Sequence, residues 1–209
     1  MTAAVGVLLA ALFVYLKVLS WQVAGLWIGA LALQTFIRVA LRDRNIRLNP
    51  PEAHWRRWAY GFTAVAALGG LVWGAGALWL LPPGRLDLQL LVIVVLVAIV
   101  YAAISGVAAY LPAFYGLFAG AFAPPVAWIL AQGDALHVVG ALLLLAWAPS
   151  GVSRARRYNA SLVQAVRLRI ENASLVRDGI GQKELAHQAA EEKSRFVAFA
   201  AEAGRIFDA

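Results

Sequence analysis

Residues 88–110 read LQLLVIVVLVAIVYAAISGVAAY, a run without one charged side chain. About 20 such residues in a helix cross the roughly 30 Å hydrocarbon core of a bilayer. In lipid the backbone must satisfy its own hydrogen bonds, so the stretch predicts a membrane-spanning α-helix. The same ruler, moved outward, finds spans at 3–19, 22–41 and 58–81 before it and at 113–130 and 136–149 after it. Pro82-Pro83-Gly84 stops the third, Pro112 marks the turn after the fourth, and Gln132-Gly133-Asp134 turns the chain again. The expected fold is an all-α, polytopic membrane helix bundle of six spans with a cytoplasmic C-terminal helical tail. A five-span alternative makes 113–122 re-entrant. The expected domains are the bundle (1–150), an amphipathic stalk helix (151–178), and a second tail helix with the C-terminal end (179–209).

Composition agrees. Apolar residues make up 62% of the chain, against roughly 45–50% in soluble domains. The net charge of +7 is unevenly placed. Arg42, Arg44, Arg47, Arg56 and Arg57 crowd one expected loop, and Arg154, Arg156 and Arg157 follow the last span. Positive charge marks the cytoplasmic side; with six spans both clusters fall on one face and both termini are cytoplasmic. The expected location is the bacterial inner membrane, multi-pass, with only short connectors on the far face. The basic total reads as topology and attraction to anionic lipid, not nucleic-acid binding. Without cysteine there is neither a disulfide nor a thiol–metal site. The N-terminus lacks a basic leader region, so 5–19 reads as a retained span.

Ionisable groups inside the spans are scarce, which argues against a pump, channel or coupled transporter. Lys17, Arg38 and Asp134 read as interfacial anchors, as do Trp21, Trp55, Trp58, Trp79 and Trp128. Trp27, Trp73 and Trp147 read as packed. Three pairs spaced by four, Gly25 with Gly29, Gly70 with Gly74 and Gly116 with Gly120, let neighbouring helices approach closely. Pro124-Pro125 removes two backbone donors and is expected to kink or break the fifth span. A break there, with Tyr101, Ser105, Tyr110 and Tyr115, suggests a small pocket for a lipid-like molecule.

Beyond residue 150 the chain turns charged and helix-forming. Ala165 and Asn172 at position a place Leu168 and Leu175 at position d, and a lone Asn at a favours a parallel pair. Gly179 and Gly181 are expected to interrupt the helix, which resumes near Gln182. The succession of a six-span domain, Leu168-Arg169-Ile170-Glu171-Asn172, Gln182-Lys183-Glu184 and Ala189-Ala190-Glu191-Glu192-Lys193-Ser194-Arg195-Phe196 resembles the input region and linker of bacterial sensor histidine kinases. In that family such a Lys-Ser-Arg-Phe leads into the helix carrying the phosphoacceptor histidine. Here Glu202 stands where that histidine would, and the ATP-binding boxes are missing.

His54, His137 and His187 show no paired metal-ligand spacing, and Ser153 and Ser194 have no base partner. The expectation is therefore a non-catalytic sensor or input module without a cofactor or metal. Its partners would be the lipid bilayer and either a second copy, as a parallel homodimer, or other membrane subunits. The alternative is an accessory or scaffold subunit of a larger membrane complex.

Overall fold

The computed structural model describes residues 2–48 and 55–207, and every regular element among them is an α-helix. The order is α1 (Thr2–Tyr15), α2 (Trp21–Leu48), α3 (Trp55–Trp79), α4 (Leu86–Val107), α5 (Leu111–Ala131) and α6 (Ala135–Phe207). Five of these, α2 to α6, are long and apolar enough to cross a membrane, and by that measure the chain is a multi-pass membrane protein. The segment 113–122 belongs to an unbroken 21-residue helix and is not re-entrant.

Helix α1 is shorter than its hydropathy. Its 14 residues rise about 21 Å at 1.5 Å each. The stop is made by the backbone. Lys17 adopts a left-handed φ of 57°, its N–H donates to the Val14 carbonyl, and the Val18 N–H donates back to Phe13. Those two bonds form a Schellman cap, so the expected span to residue 19 ends at Tyr15.

The chain divides into two compact units, residues 1–160 and 161–209. In the first, α3 is central, with α2 on one side and α5 on the other; α1 packs on α2, and α4 on α5 and α3. Phe13, Trp27, Trp73, Leu80, Leu81, Leu96 and Phe114 fill the interior. Leu8, Leu26, Phe36, Leu90, Val94 and Leu143 point outward, as lipid-facing side chains do.

Between lipid-solvated helices, close approach must replace the hydrophobic effect, and the α3–α5 seam supplies it. A Cβ on Gly70 would lie 2.2 Å from the Leu117 carbonyl oxygen, and one on Gly120 would lie 2.8 Å from that of Ala67. One on Gly116 would touch the Ala67 side chain at 3.0 Å. The two glycine pairs therefore meet each other. A Cβ on Gly74 would lie 2.3 Å from the Gly120 oxygen and 2.8 Å from the Ala121 oxygen. These are the carbonyls that Pro124 and Pro125, four residues on, leave without an N–H. Gly74 brings its Cα hydrogens against both orphaned acceptors, a weak but recurring form of satisfaction. Helix α5 accordingly runs through both prolines instead of breaking.

Gly25 and Gly29 behave differently. Both are exposed, and an added Cβ at either meets nothing within 4 Å. The α2–α3 contact relies instead on Gly69, beside Gln34, and Gly76, beside the Trp27 indole.

The basic cluster is helical: Arg42, Arg44 and Arg47 end α2, and Arg56 and Arg57 open α3. His54 lies outside the described residues. Helix α6 passes through Pro149, Gly151, Gly179 and Gly181, so the expected interruption near 179–181 is absent. A glycine costs about 1 kcal/mol in a helix, too little to end one flanked by good helix formers. In the second unit the segment 161–207 is helix throughout. Leu168, Ile170, Leu175 and Ile180 are at least half exposed there, and Arg167 pairs with Glu171 one turn on, at 2.9 Å.

Candidate functional site

Tyr101, Ser105, Tyr110 and Tyr115 lie outside the linings of the two clefts described below. They join the end of α4 and the start of α5 to α6. The Tyr101 ring lies 5.0 Å from Trp147 with the Arg154 guanidinium 5.0 Å above it, and its hydroxyl is 3.4 Å from Ser150 Oγ. Tyr115 Oη accepts from Arg156 Nε at 3.0 Å. The Ser105 carbonyl accepts from the Tyr158 hydroxyl at 3.3 Å. Tyr110 precedes the first turn of α5, where its carbonyl accepts from Ala113. Asn159 Nδ2 donates to the carbonyls of Ala108 and Ala109, at 3.0 and 2.8 Å, satisfying acceptors that the end of α4 leaves open. This end of the first unit is a polar clasp.

The open space is a cleft of about 470 Å³ at the other end, between α4, α5 and α6. Ile93, Val97, Ile129, Gly140, Leu144 and Trp147 are among its walls. Gly140 keeps volume free, because an added Cβ there would meet nothing within 4 Å. A second cleft, on the α5 flank of α6, has only apolar lining residues, among them Phe118, Phe122 and Leu145.

What distinguishes the first cleft is its polar end. Asp134 caps α6: its Oδ1 accepts from the backbone N–H groups of Leu136 and His137 at 3.1 and 3.0 Å, the N-cap arrangement of the residue type best suited to it. Asp134 Oδ2 pairs with His137 Nδ1. On the far side of the ring, His137 Nε2 lies 3.0 Å from Gln89 Oε1. Gln89, only 6% exposed, donates through Nε2 to the Pro82 carbonyl at 2.8 Å, which orients its amide. An amide oxygen only accepts, and so does a carboxylate. Acceptors therefore face both ring nitrogens of His137. The Trp128 ring meets it edge to face at 6.2 Å.

The Asp134 carboxyl is held below its ordinary range, first by the His137 backbone N–H and then by the His137 ring, against partial desolvation. A depressed carboxylate stabilises the fold above its ordinary pKa, and that contribution is lost as pH falls through the lowered value. Beside the cleft Arg85 and Asp87 form their own pair at 2.8 Å.

The lining of this cleft has no hydroxyl or thiol side chain, and among the described residues no three His, Cys, Asp or Glu converge as metal ligands. Sequence reasoning took Asp134 as an anchor and passed over Gln89, which lies 48 residues from His137. A lone amide in the apolar run, and an Asp three residues before a His at a helix start, were the available signals. Comparison with family models, with curated proteins and with solved structures finds no match.

Proposed function

We propose that this chain is a non-catalytic membrane input module, similar to the sensor region of a histidine kinase. It sits in the inner membrane with its tail in the cytoplasm. By the positive-inside rule the end of α2, the start of α3 and the Arg154–Arg157 segment belong on that side. Five crossings by α2 to α6 already put the tail there; a sixth, by α1, would bring the N-terminus to the same face. The carrying observation is α6 itself: Leu136, His137, Gly140 and Trp147 line the cleft, and the helix continues unbroken to Phe207. A ligand or lipid that favours one arrangement of α6 would bias whatever the tail pairs with, provided it binds the two arrangements unequally.

The test uses the absence of native cysteine. Single cysteines at Leu168, Asn172 and Leu175, oxidised in native membranes, are expected to give strong dimer bands. Cysteines at Ile170 and Ser174, on the opposite face of the helix, are expected to give weak ones. A flat profile, or none at all, removes the paired stalk and with it the signalling reading.

One observation favours the second reading, an accessory subunit of a larger complex. Gly25 and Gly29 offer a small-residue face that nothing among the described residues packs against, of the kind that admits another transmembrane helix. Native sizing after mild extraction separates the two: a homodimer supports the input module, and a fixed heteromer the subunit.

A further inference from the structure

We propose that the α4–α5–α6 cleft binds one uncharged, membrane-soluble amphipath, its hydroxyl or carbonyl head at Gln89 and its apolar body along Ile93, Ile129, Gly140 and Trp147. This goes beyond the input-module reading and does not depend on it.

Three observations converge. The volume of about 470 Å³ falls within the roughly 300–1,000 Å³ of small-molecule sites, which are apolar with a few placed polar groups. The charged groups at this end already have partners, Asp134 in His137 and Arg85 in Asp87. An anionic or cationic head would find no free counter-charge among these groups and would have to give up hydration. Finally, Gln89 keeps hydrogen-bonding capacity. One amide N–H goes to Pro82 and its oxygen takes one bond from His137, while the amide has a second N–H and the oxygen a second lone pair. A hydroxyl can use both; a carbonyl can use the N–H. A head with neither would leave this nearly buried amide short of partners, which costs free energy in an apolar medium. The specificity is for a neutral, hydrogen-bonding head.

The full chain is placed in phosphatidylcholine nanodiscs and titrated with a bromine-terminated long-chain alcohol, which quenches tryptophan on contact. Quenching at the cleft is the difference between the parent and Trp147→Phe. The expected result is saturable quenching, weakened at least about tenfold by Gly140→Leu, which fills the cleft from a position with free space. Gln89→Leu should weaken it similarly, and Gly25→Leu, on the outer face of α2, should not. The carboxylic acid of the same chain length, ionised, should bind more weakly than the alcohol. Quenching that rises linearly without saturating, or that saturates equally in Gly140→Leu, is bilayer partitioning and overturns the site. Tighter binding of the acid overturns the neutral head. Should Gln89→Leu fail to fold, Gly140→Leu and the alcohol–acid comparison decide.

Discussion

Gly74→Ala is expected to destabilise the bundle by about 2–3 kcal/mol, whereas the same change at Gly25 or Gly29 is expected to be neutral or slightly stabilising. The difference lies in what a methyl group meets. At Gly74 it would sit 2.3 Å from one backbone oxygen and 2.8 Å from another. Neither can rotate away as a side chain could. Helix α5 would have to retreat by about 1 Å, a gap that forfeits much of the dispersion energy along a seam. Overpacking of this kind costs roughly 1–3 kcal/mol and sometimes more. The retreat would also strip the Gly120 and Ala121 carbonyls of the Cα–H contacts that stand in for the donors Pro124 and Pro125 lack. Against this, Ala gains up to about 1 kcal/mol of helix propensity over Gly, which is all that operates at the open positions 25 and 29. The measurement is the fraction folded in mixed micelles as SDS is raised, read by far-ultraviolet circular dichroism. Equal midpoints for Gly74→Ala and Gly25→Ala would remove the α3–α5 seam as the organising contact.

That contrast also marks what the amino-acid pattern can convey. Hydropathy located α2 to α6 because each is a long apolar run bounded by arginine, proline or glycine, and a helix satisfies all of such a run's backbone hydrogen bonds within itself in lipid. It ran past Tyr15 because the cap at Lys17 is a backbone event that carries no hydropathy. It expected breaks at Pro124-Pro125 and at Gly179 and Gly181, where local propensity is poor. The first is compensated by Gly74, fifty residues away, and the second is too small a cost to matter. Four-residue glycine spacing picked out three pairs alike, though two of them face each other and one faces outward; the motif gives a face and not its neighbour. Gly69 and Gly76, spaced by seven, do the equivalent work against α2 without matching that motif. The binding cleft was hidden for the same reason. Gln89 and His137 belong to different helices, and only their juxtaposition turns a stray amide and an interfacial histidine into one polar end. Of the tyrosines expected to line a pocket, Tyr101 has its hydroxyl beside Ser150 and Tyr115 accepts from Arg156.

The α2–α3 contact gives the second large effect, and it is one of coupling. Trp27 is 3% exposed, meets Trp73 edge to face at 5.4 Å, and donates its indole N–H to the Val72 carbonyl at 3.1 Å. That carbonyl belongs to α3, so the ring must lie against the helix backbone, and Gly76 is what permits it. A Cβ on Gly76 would fall 1.9 Å from Trp27 Nε1, well inside any tolerable contact. Trp27→Ala is expected to cost about 3–5 kcal/mol, as buried Trp truncations do. Gly76→Ala should be costly too, because the ring must leave its seat and its hydrogen bond with it. Once the indole is gone, however, the methyl has room. In the Trp27→Ala background, Gly76→Ala should then cost close to nothing, or gain slightly from helix propensity, giving a coupling energy of about 2 kcal/mol or more. The cycle is read by the same SDS titration. Additivity within about 0.5 kcal/mol, the range seen for independent sites, would mean that the glycine is there for some reason other than to seat this ring.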